Sequence, residues 1–477
     1  MTLRSLHIRF AALLVFLPGP SFSAEKPLEL DTILTSVSQQ YPPLLATWFE
    51  QDIANGKVRR AEGSFDSILS AALMTRPAGF YEAVNGEVRI TKPLRNTGGE
   101  IYGGYRVTSG FLPNYERKIR TADGGEAVLG VRLPLLRGRD IDDRRANFTK
   151  AQLDRELTNP TILRQYLNFM RAGRITYFNW LAAGKKLEAA EQLLEVAKER
   201  DDALAEQFKQ GAIARIVRTD NRRLVVSRQI AVVKARQTFE GAGIALSLFH
   251  RDPKTGTTVM PTREQLPKNF PTLHKFEALT LVNDRGRALY RRPEIRQLEL
   301  LTASSHVDQR LATNNLKPNL DLSVELNQAI GGNLPSDIEE TEVTALLNYS
   351  IPIGRNEARG RLEAIAGRLA QLEKQKQFAH ESILADANNS FAALGAAFLA
   401  LEQTSLNVEL SEELEAAESE KFENGASDLL ALQIREGNTF DAKVLVIDAN
   451  NAYFKALADY LAAVAKDAPS HLTPVSR

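Results

Sequence analysis

The sequence predicts a mainly α-helical fold with a smaller β portion, built from two internal repeats. Two helical regions, 139–248 and 355–465, are much longer than the helices of an ordinary globular domain. The segments before them, 65–136 and 318–353, contain runs of alternating apolar and polar residues, which are typical of strands with two different faces. The order of proline, strands, long helix, glycine break and second helix occurs twice, which indicates a repeat.

Composition excludes several classes of function. The 477 residues include 60 Lys and Arg against 59 Asp and Glu, so a net charge of +1 gives no support for nucleic-acid binding. The chain has no cysteine, which excludes a disulfide scaffold, a thiolate metal site and a thiol nucleophile. Its 6 histidines are scattered singly, and no GxxxxGK[ST] or GxSxG motif occurs. We therefore expect no metal, no cofactor and no enzyme activity.

The first 23 residues are predicted to be a secretory signal peptide. Arg4 and Arg9 flank the start of the apolar run Phe10–Leu17, and the small residues Ser21 and Ser23 fit cleavage after Ser23. The run is far shorter than the ~20 residues of a membrane-spanning helix. We predict an exported chain without a spanning helix, which is either soluble outside the cytoplasm or inserted in a membrane as a β-barrel.

The repeat defines the domain boundaries. After the signal peptide, the predicted units are a first repeat at 24–275, a second repeat at 276–466 and a tail at 467–477. Each repeat is expected to consist of a helix, a strand segment and a long helical hairpin.

Each long helical region contains a Phe-x-x-Gly-Ala break, at Phe208 and Gly211 in the first repeat and at Phe422 and Gly425 in the second. Glycine suits a tight turn because it adopts positive φ without a Cβ clash. We therefore predict turns at the tips of two hairpins. Before the first break, apolar and small residues recur alternately three and four residues apart, which is the pattern of a coiled-coil seam. Asp201 is the one polar residue in this pattern. Helices of this length require an extended bundle, although an ordinary coiled coil also fits this pattern.

Four strands are predicted, with apolar residues on one face and polar residues on the other. They lie at 100–108, 126–133, 319–327 and 342–351. The apolar face includes Ile101, Tyr105, Leu129, Val131, Leu320, Leu322, Val324, Val343, Leu347 and Tyr349. Their lengths approach the ~9–11 residues of a tilted membrane strand. A soluble amphipathic sheet remains an alternative from alternation alone.

Four strands cannot close a membrane barrel, because the smallest such barrels use about 8 strands and an open edge leaves backbone groups unsatisfied in lipid. A barrel must therefore be shared between copies of the chain, with eight strands from two copies or twelve from three. The segment 65–94 also has strand character. It could extend the barrel, lie at its rim or form an outer loop.

The chain resembles the TolC-like outer-membrane efflux proteins. The resemblance is carried by Arg292-Pro293-Glu294-Ile295 before a helix, Pro318-Asn319-Leu320 at a strand start, Pro134–Gly138 after a strand, and the two Phe-x-x-Gly breaks. It implies a homotrimer in the outer membrane of a Gram-negative bacterium, with a twelve-stranded barrel and a helical tunnel across the periplasm. It also implies an exit duct that works with a periplasmic adaptor protein and an inner-membrane pump.

The resemblance does not carry over the polar gate of the best-known family member. Two carboxylates form the gate of that protein, and this chain has Ala431 and Ile434 at their positions. A Tyr and an Arg help to keep that gate closed, and this chain has Phe422 and Ser427 at their positions. Two other gates fit the same region. Asp428 and Glu436 could form a ring of charge, or Leu429, Leu430 and Ile434 could form an apolar constriction.

Two alternative classes make different predictions. A periplasmic coiled-coil adaptor or structural protein would have a single long hairpin flanked by soluble β-domains. A secreted enzyme would have a convergent polar site.

Overall fold

We analysed a computed structural model, which describes residues 26–472 except 111, 113–119 and 333–339. The predicted signal peptide and the end of the tail lie outside the described residues. The helices are α1 (Leu30–Gln40), α2 (Pro42–Glu62), α3 (Asp143–Lys209), α4 (Arg215–Ser247), α5 (Ala278–Arg291), α6 (Pro293–Asn314), α7 (Asn356–Glu423) and α8 (Leu429–Ala463). The strands are β1 (Ile68–Arg76), β2 (Ala83–Pro93), β3 (Glu100–Gly110), β4 (Glu126–Pro134), β5 (Asn319–Ala329) and β6 (Thr341–Ser350).

The described strands form one antiparallel sheet in chain order, from β1 at one edge to β6 at the other. The four predicted strands are β3 to β6, and the segment 65–94, whose strand character the sequence indicated, supplies β1 and β2. The helices α2, α3, α6 and α7 all adjoin the same end of the sheet, since they connect to the start of β1 and β5 and the end of β4 and β6. The sheet therefore extends from one end of the helical part.

The two faces of the sheet differ in polarity, as the alternation predicted. Leu129 lies opposite Leu326 of the next strand, and Leu326 lies opposite Val343. The registers place all ten of the predicted apolar strand residues on this one face. Most of its large side chains are exposed, so one chain leaves a broad apolar surface without a cover.

The opposite face is a network of charged and polar side chains. The Tyr102 hydroxyl donates to the Glu325 carboxylate at 2.8 Å. Arg106 pairs with Glu126, and the Arg132 guanidinium lies 3.3 Å from the Asp321 carboxylate. These bonds connect β3, β4 and β5 across the polar face.

The two hairpins dominate the molecule. The 67 residues of α3 and the 68 of α7 correspond to about 100 Å each at a rise of ~1.5 Å per residue. The helix α3 packs against α4 and α8, and α7 packs against α8. Pro160 lies inside α3 without ending the helix.

The main core lies midway along the bundle, where α3 and α8 meet α1 and the segment before α5. Trp180 is fully buried there, and the Phe178 ring stacks on Phe454 with centroids 4.2 Å apart. The Tyr177 hydroxyl donates to the Leu28 carbonyl at 2.9 Å, and burial raises the pKa of Tyr177 to about 12. In this core the two hairpins pack against each other at a distance from their tips.

Among the described residues, length and composition mark one helix, α7, as able to cross a membrane. A single helix that meets this criterion is weak evidence for a membrane span, and α7 packs against α8 of the same hairpin. We therefore treat α7 as part of the helical bundle.

Candidate functional site: the hairpin tips

The first hairpin tip is a Schellman turn. The Gly211 N–H donates to the Phe208 carbonyl at 3.0 Å, and the Ala212 N–H donates to the Gln207 carbonyl at 2.9 Å. Gly211 has φ of +75°, in the left-handed region that this motif requires of the residue after the cap. The turn therefore ends α3 at the break that the sequence predicted.

The second tip repeats the same geometry. The Gly425 N–H donates to the Phe422 carbonyl at 3.0 Å, the Ala426 N–H donates to the Lys421 carbonyl at 2.8 Å, and Gly425 has φ of +72°. The next helix begins four residues after each glycine, at Arg215 and at Leu429. The two tips are thus equivalent units of the repeat.

The tip glycines provide a test of this turn. We expect Gly425→Ala to cost about 1 kcal/mol, because a left-handed residue with a Cβ is strained while the space around Gly425 is open. Gly437→Ala is a matched control within α8, where the space is also open and alanine should stabilise the helix by about 0.5–1 kcal/mol. Denaturant unfolding should show a lower free energy of unfolding for Gly425→Ala and a higher one for Gly437→Ala. Equal changes in the two variants would contradict the assigned turn.

The candidate gate carboxylate Asp428 is a helix cap. Its side chain accepts a hydrogen bond from the Ala431 N–H at 2.8 Å, so it begins α8 in the ordinary way. Asp428 is exposed, and its capping bond occupies only part of its acceptor capacity. A ring of charge at this position remains compatible with the tip.

Glu436 does not provide an exposed ring of charge. It is 3% exposed and lies between two arginines of the first hairpin, Arg200 of α3 and Arg228 of α4. The Arg228 Nη2 donates to Glu436 at 2.9 Å, and its Nη1 donates to the Leu193 carbonyl at 2.9 Å. We call Arg200, Arg228 and Glu436 the buried triad. It connects α8 to both helices of the other hairpin.

The electrostatics of the buried triad favour the charged carboxylate. Burial by itself would raise the pKa of Glu436, but hydrogen bonds and charge from Arg200 and Arg228 outweigh burial and lower it below its ordinary value of 4.5. The sequence contained no local signal for this contact, because the partners lie more than two hundred residues away along the chain.

A second polar contact explains the exception in the predicted coiled-coil seam. The Asn221 side chain is fully buried, and its amide donates to the Asp201 carboxylate at 3.3 Å. The polar residue of α3 is therefore matched by a polar residue of α4, close to the first tip.

The apolar gate candidates differ in exposure. Leu429 is half-buried, whereas Leu430 and Ile434 are exposed on α8 in one chain. Exposed apolar side chains close to a tip can meet the same residues of neighbouring copies. The apolar constriction therefore remains a prediction for these residues.

Further apolar side chains form unpartnered rows along both hairpins. On α7 the row contains Leu399, Leu406, Leu410 and Leu414, and on α4 it contains Val226, Ile230, Val233 and Ile244. The spacings of 3, 4, 7 and 11 residues within these rows are those of a helix–helix seam. We call them the α7 seam and the α4 seam.

These features define an architecture in which a two-faced sheet continues into a long helical bundle. No family model and no curated protein matches the sequence. Solved structures do match in fold. The Campylobacter jejuni CmeC outer membrane channel is 13% identical, with a TM-score of 0.65 over 97% of this chain and 94% of that chain.

Other matches belong to the same kind of protein. The outer membrane protein VceC of Vibrio cholerae is 12% identical, with a TM-score of 0.65 over 91% of this chain and 95% of that chain. The open-state MtrE outer membrane channel of Neisseria gonorrhoeae is 16% identical, with a TM-score of 0.63 over 91% of this chain and 88% of that chain. This chain therefore has the fold of TolC-like outer-membrane channels, as its motifs indicated.

Proposed function

We propose that this protein is the outer-membrane exit duct of a tripartite efflux or secretion system, through which exported substrates pass passively to the outside. The observation that carries the proposal is the two-faced sheet. Its apolar face is uncovered in one chain, while its opposite face has charged and polar groups suited to a water-filled lumen.

The dimensions support this arrangement. The strands have 9–11 residues, which matches the ~9–11 residues of a tilted membrane strand. Beyond one end of the sheet, hairpins of about 100 Å would extend away from the outer membrane into the periplasm.

The open edges of the sheet support a homotrimer with a shared barrel. The strands β1 and β6 each have one neighbour within the chain, and lipid offers no partner for the unpaired backbone groups of the other side. The α7 seam and α4 seam leave apolar surface for contacts between copies below the membrane. Closed assembly of identical chains would cover both features.

The α7 seam offers a test of assembly. We expect Leu406→Asp combined with Leu410→Asp to dissociate the trimer, because each buried leucine contributes about 1.5–3 kcal/mol and a carboxylate opposes burial. Glu409→Gln and Glu413→Gln, at exposed positions of the same helix, form the control and should leave the trimer intact. Unheated gel electrophoresis reads out the assembly, and an intact trimer in the aspartate variant would contradict this role of the seam.

The hairpin tips are the proposed docking site for a periplasmic adaptor protein, and an inner-membrane pump would supply the energy. No residue is assigned a catalytic role or a cofactor. Among the described residues, no group of three His, Asp or Glu side chains is placed to hold a metal ion.

The alternative of a periplasmic adaptor fits less well. An adaptor would have a single hairpin and soluble β-domains, whereas this chain has two equivalent hairpins and an uncovered apolar sheet face. Membrane fractionation followed by unheated gel electrophoresis distinguishes an outer-membrane duct from a periplasmic adaptor. We expect a trimer in the outer-membrane fraction, and a soluble monomer would overturn the proposal.

A further inference from the structure

The β1–β2 hairpin is a regular continuation of the sheet. The strand β2 pairs with β3 from Ala83 opposite Gly110 to Pro93 opposite Glu100, and β1 pairs with β2 from Ile68 opposite Thr91 to Arg76 opposite Ala83. The pairing of β2 with β3 extends over the full 11 residues of both strands. The hairpin is therefore part of the sheet along its whole length.

The apolar face continues onto β1 and β2, with one charged residue, Lys92, opposite Ile101 at the helical end. The registers place Leu69 beside Ile90, and Ala71 beside Val88, on the face that contains Ile101 and Tyr105 of β3. The large residues of the hairpin on this face are exposed: Leu69, Leu73, Val84, Val88 and Ile90. Six neighbouring strands thus present one uncovered apolar surface.

The polar face continues across β2. Glu87 lies opposite Arg106 of β3, and Arg89 pairs with Glu87 at 2.6 Å. The Arg89 guanidinium lies over the ring of Tyr102, 4.7 Å from its centroid. The strand β2 therefore belongs to the same network of charges that lines β3, β4 and β5.

The hairpin is also fixed at the helical end of the sheet. The β2–β3 turn closes with a hydrogen bond from the Leu94 N–H to the Gly99 carbonyl at 2.8 Å. Arg95 in this turn lies over the rings of Phe65 and Phe148, and it pairs with Glu62 at the end of α2. These contacts connect the residues just before β1 and just after β2 to α2 and α3.

We propose that β1 and β2 are membrane-spanning barrel strands, so that three copies form a barrel of eighteen strands in which β6 of one copy pairs with β1 of the next. The inference rests on the proposed function, since it takes the membrane and the trimer as given. The strand lengths of 9 and 11 residues are sufficient to span the bilayer.

The added strands widen the exit. For a strand spacing of ~4.7 Å and a tilt of ~40°, twelve strands give a barrel about 24 Å across between Cα positions and eighteen give about 35 Å. A barrel of that size leaves an aqueous channel. The duct would accept bulkier exported molecules at its outer end, and selection by size would take place at the hairpin tips.

A twelve-stranded barrel would require β6 to pair with β3 of the next copy. The strand β3 is already paired with β2 and β4, so the β2–β3 ladder would have to separate. Separation would leave backbone groups of both strands without partners. The described geometry therefore favours the wider barrel.

The first test uses single cysteines in the full mature chain, which has none of its own. Nitroxide labels would be placed along β1 at Leu69, Ser70, Ala71, Ala72 and Leu73 in trimers reconstituted into phospholipid vesicles. At Leu69, Ala71 and Leu73 we expect several-fold higher accessibility to oxygen than to a water-soluble nickel reagent, and the reverse at Ser70 and Ala72. A label at Val107, on the apolar face of β3, provides the reference for lipid. A label at Thr108, on its polar face, provides the reference for water. Water accessibility at every β1 position would overturn the proposal.

The second test is disulfide cross-linking between copies. Cysteine at Ala71 combined in turn with cysteine at positions along β6, including Leu347, should give covalent trimers on a non-reducing gel. In the control pairs, the same β6 cysteines are combined with a cysteine at Tyr105 of β3 instead of Ala71. These pairs should give no cross-link between copies. Cross-links from β3 with none from β1, in trimers that remain in the membrane, would overturn this inference and leave the exit duct intact. A soluble monomer would overturn both.

Discussion

Replacing Glu436 by leucine is expected to lower the free energy of unfolding by about 3–5 kcal/mol, the range for removing one partner of a buried ion pair. The carboxylate is 3% exposed, and Arg228 beside it is 6% exposed, so the variant would leave a buried guanidinium without its counter-charge. Denaturant unfolding would measure the loss. Since the triad joins α8 to α3 and α4, the two hairpins should also separate more readily near their tips.

A matched control is available within the second hairpin. Glu412 of α7 pairs with Lys443 of α8 at 2.8 Å, but both side chains are well exposed. Exposed pairs contribute about 0–1 kcal/mol, so Glu412→Leu should have a small effect. The triple replacement of Arg200, Arg228 and Glu436 by leucine should recover much of the lost stability, because no buried charge is then unpaired. Equal losses for Glu436→Leu and Glu412→Leu would contradict the buried triad.

The buried triad also predicts a dependence on pH. The pKa of Glu436 is lower in the folded chain than its ordinary value of 4.5, so its stabilising contribution is fully present above that value. As the pH falls through the folded pKa, the carboxylate is protonated and the contribution is lost. We expect the acid-induced loss of stability below about pH 4.5 to be smaller in the Glu436→Leu variant than in the natural chain.

The parts of the fold that the sequence predicted are those that depend on local pattern. The tip turns follow from Gly211 and Gly425, because few other residues adopt the required φ. The faces of β5 follow from strict alternation at Leu320, Leu322 and Val324. In each case the chain immediately around the residue determines its structure.

The parts that the sequence left open depend on distant partners or on weak alternation. The strand character of 65–94 was predicted but its place was not, because the polar face of β1 includes Ile68, Ala72 and Met74 and the contrast between its two faces is low. Glu436 was a candidate for a ring of charge because nothing near it in the sequence identifies Arg200 or Arg228 as partners. Charge pairs between hairpins are determined by packing, which a single sequence does not contain.

An arginine on the apolar face of the sheet is the second change with a large expected effect. Ala345 lies in the middle of β6, opposite Val324 of β5, on the face that we assign to lipid. Arginine at the midplane of a membrane barrel costs about 2–4 kcal/mol, and a homotrimer would have the penalty in each copy. We expect Ala345→Arg to reduce the outer-membrane trimer strongly, measured by fractionation and unheated gel electrophoresis.

The neighbouring residue supplies the control, since Thr344 lies on the polar face opposite Glu325. Thr344→Arg introduces the same side chain one position away, where water and a carboxylate are within reach, so the trimer should persist. A soluble sheet would tolerate arginine on either face, with changes within about 0.5 kcal/mol for exposed positions. The difference between the two variants therefore measures whether the exposed apolar face lies against lipid, and similar behaviour of both would contradict the membrane barrel.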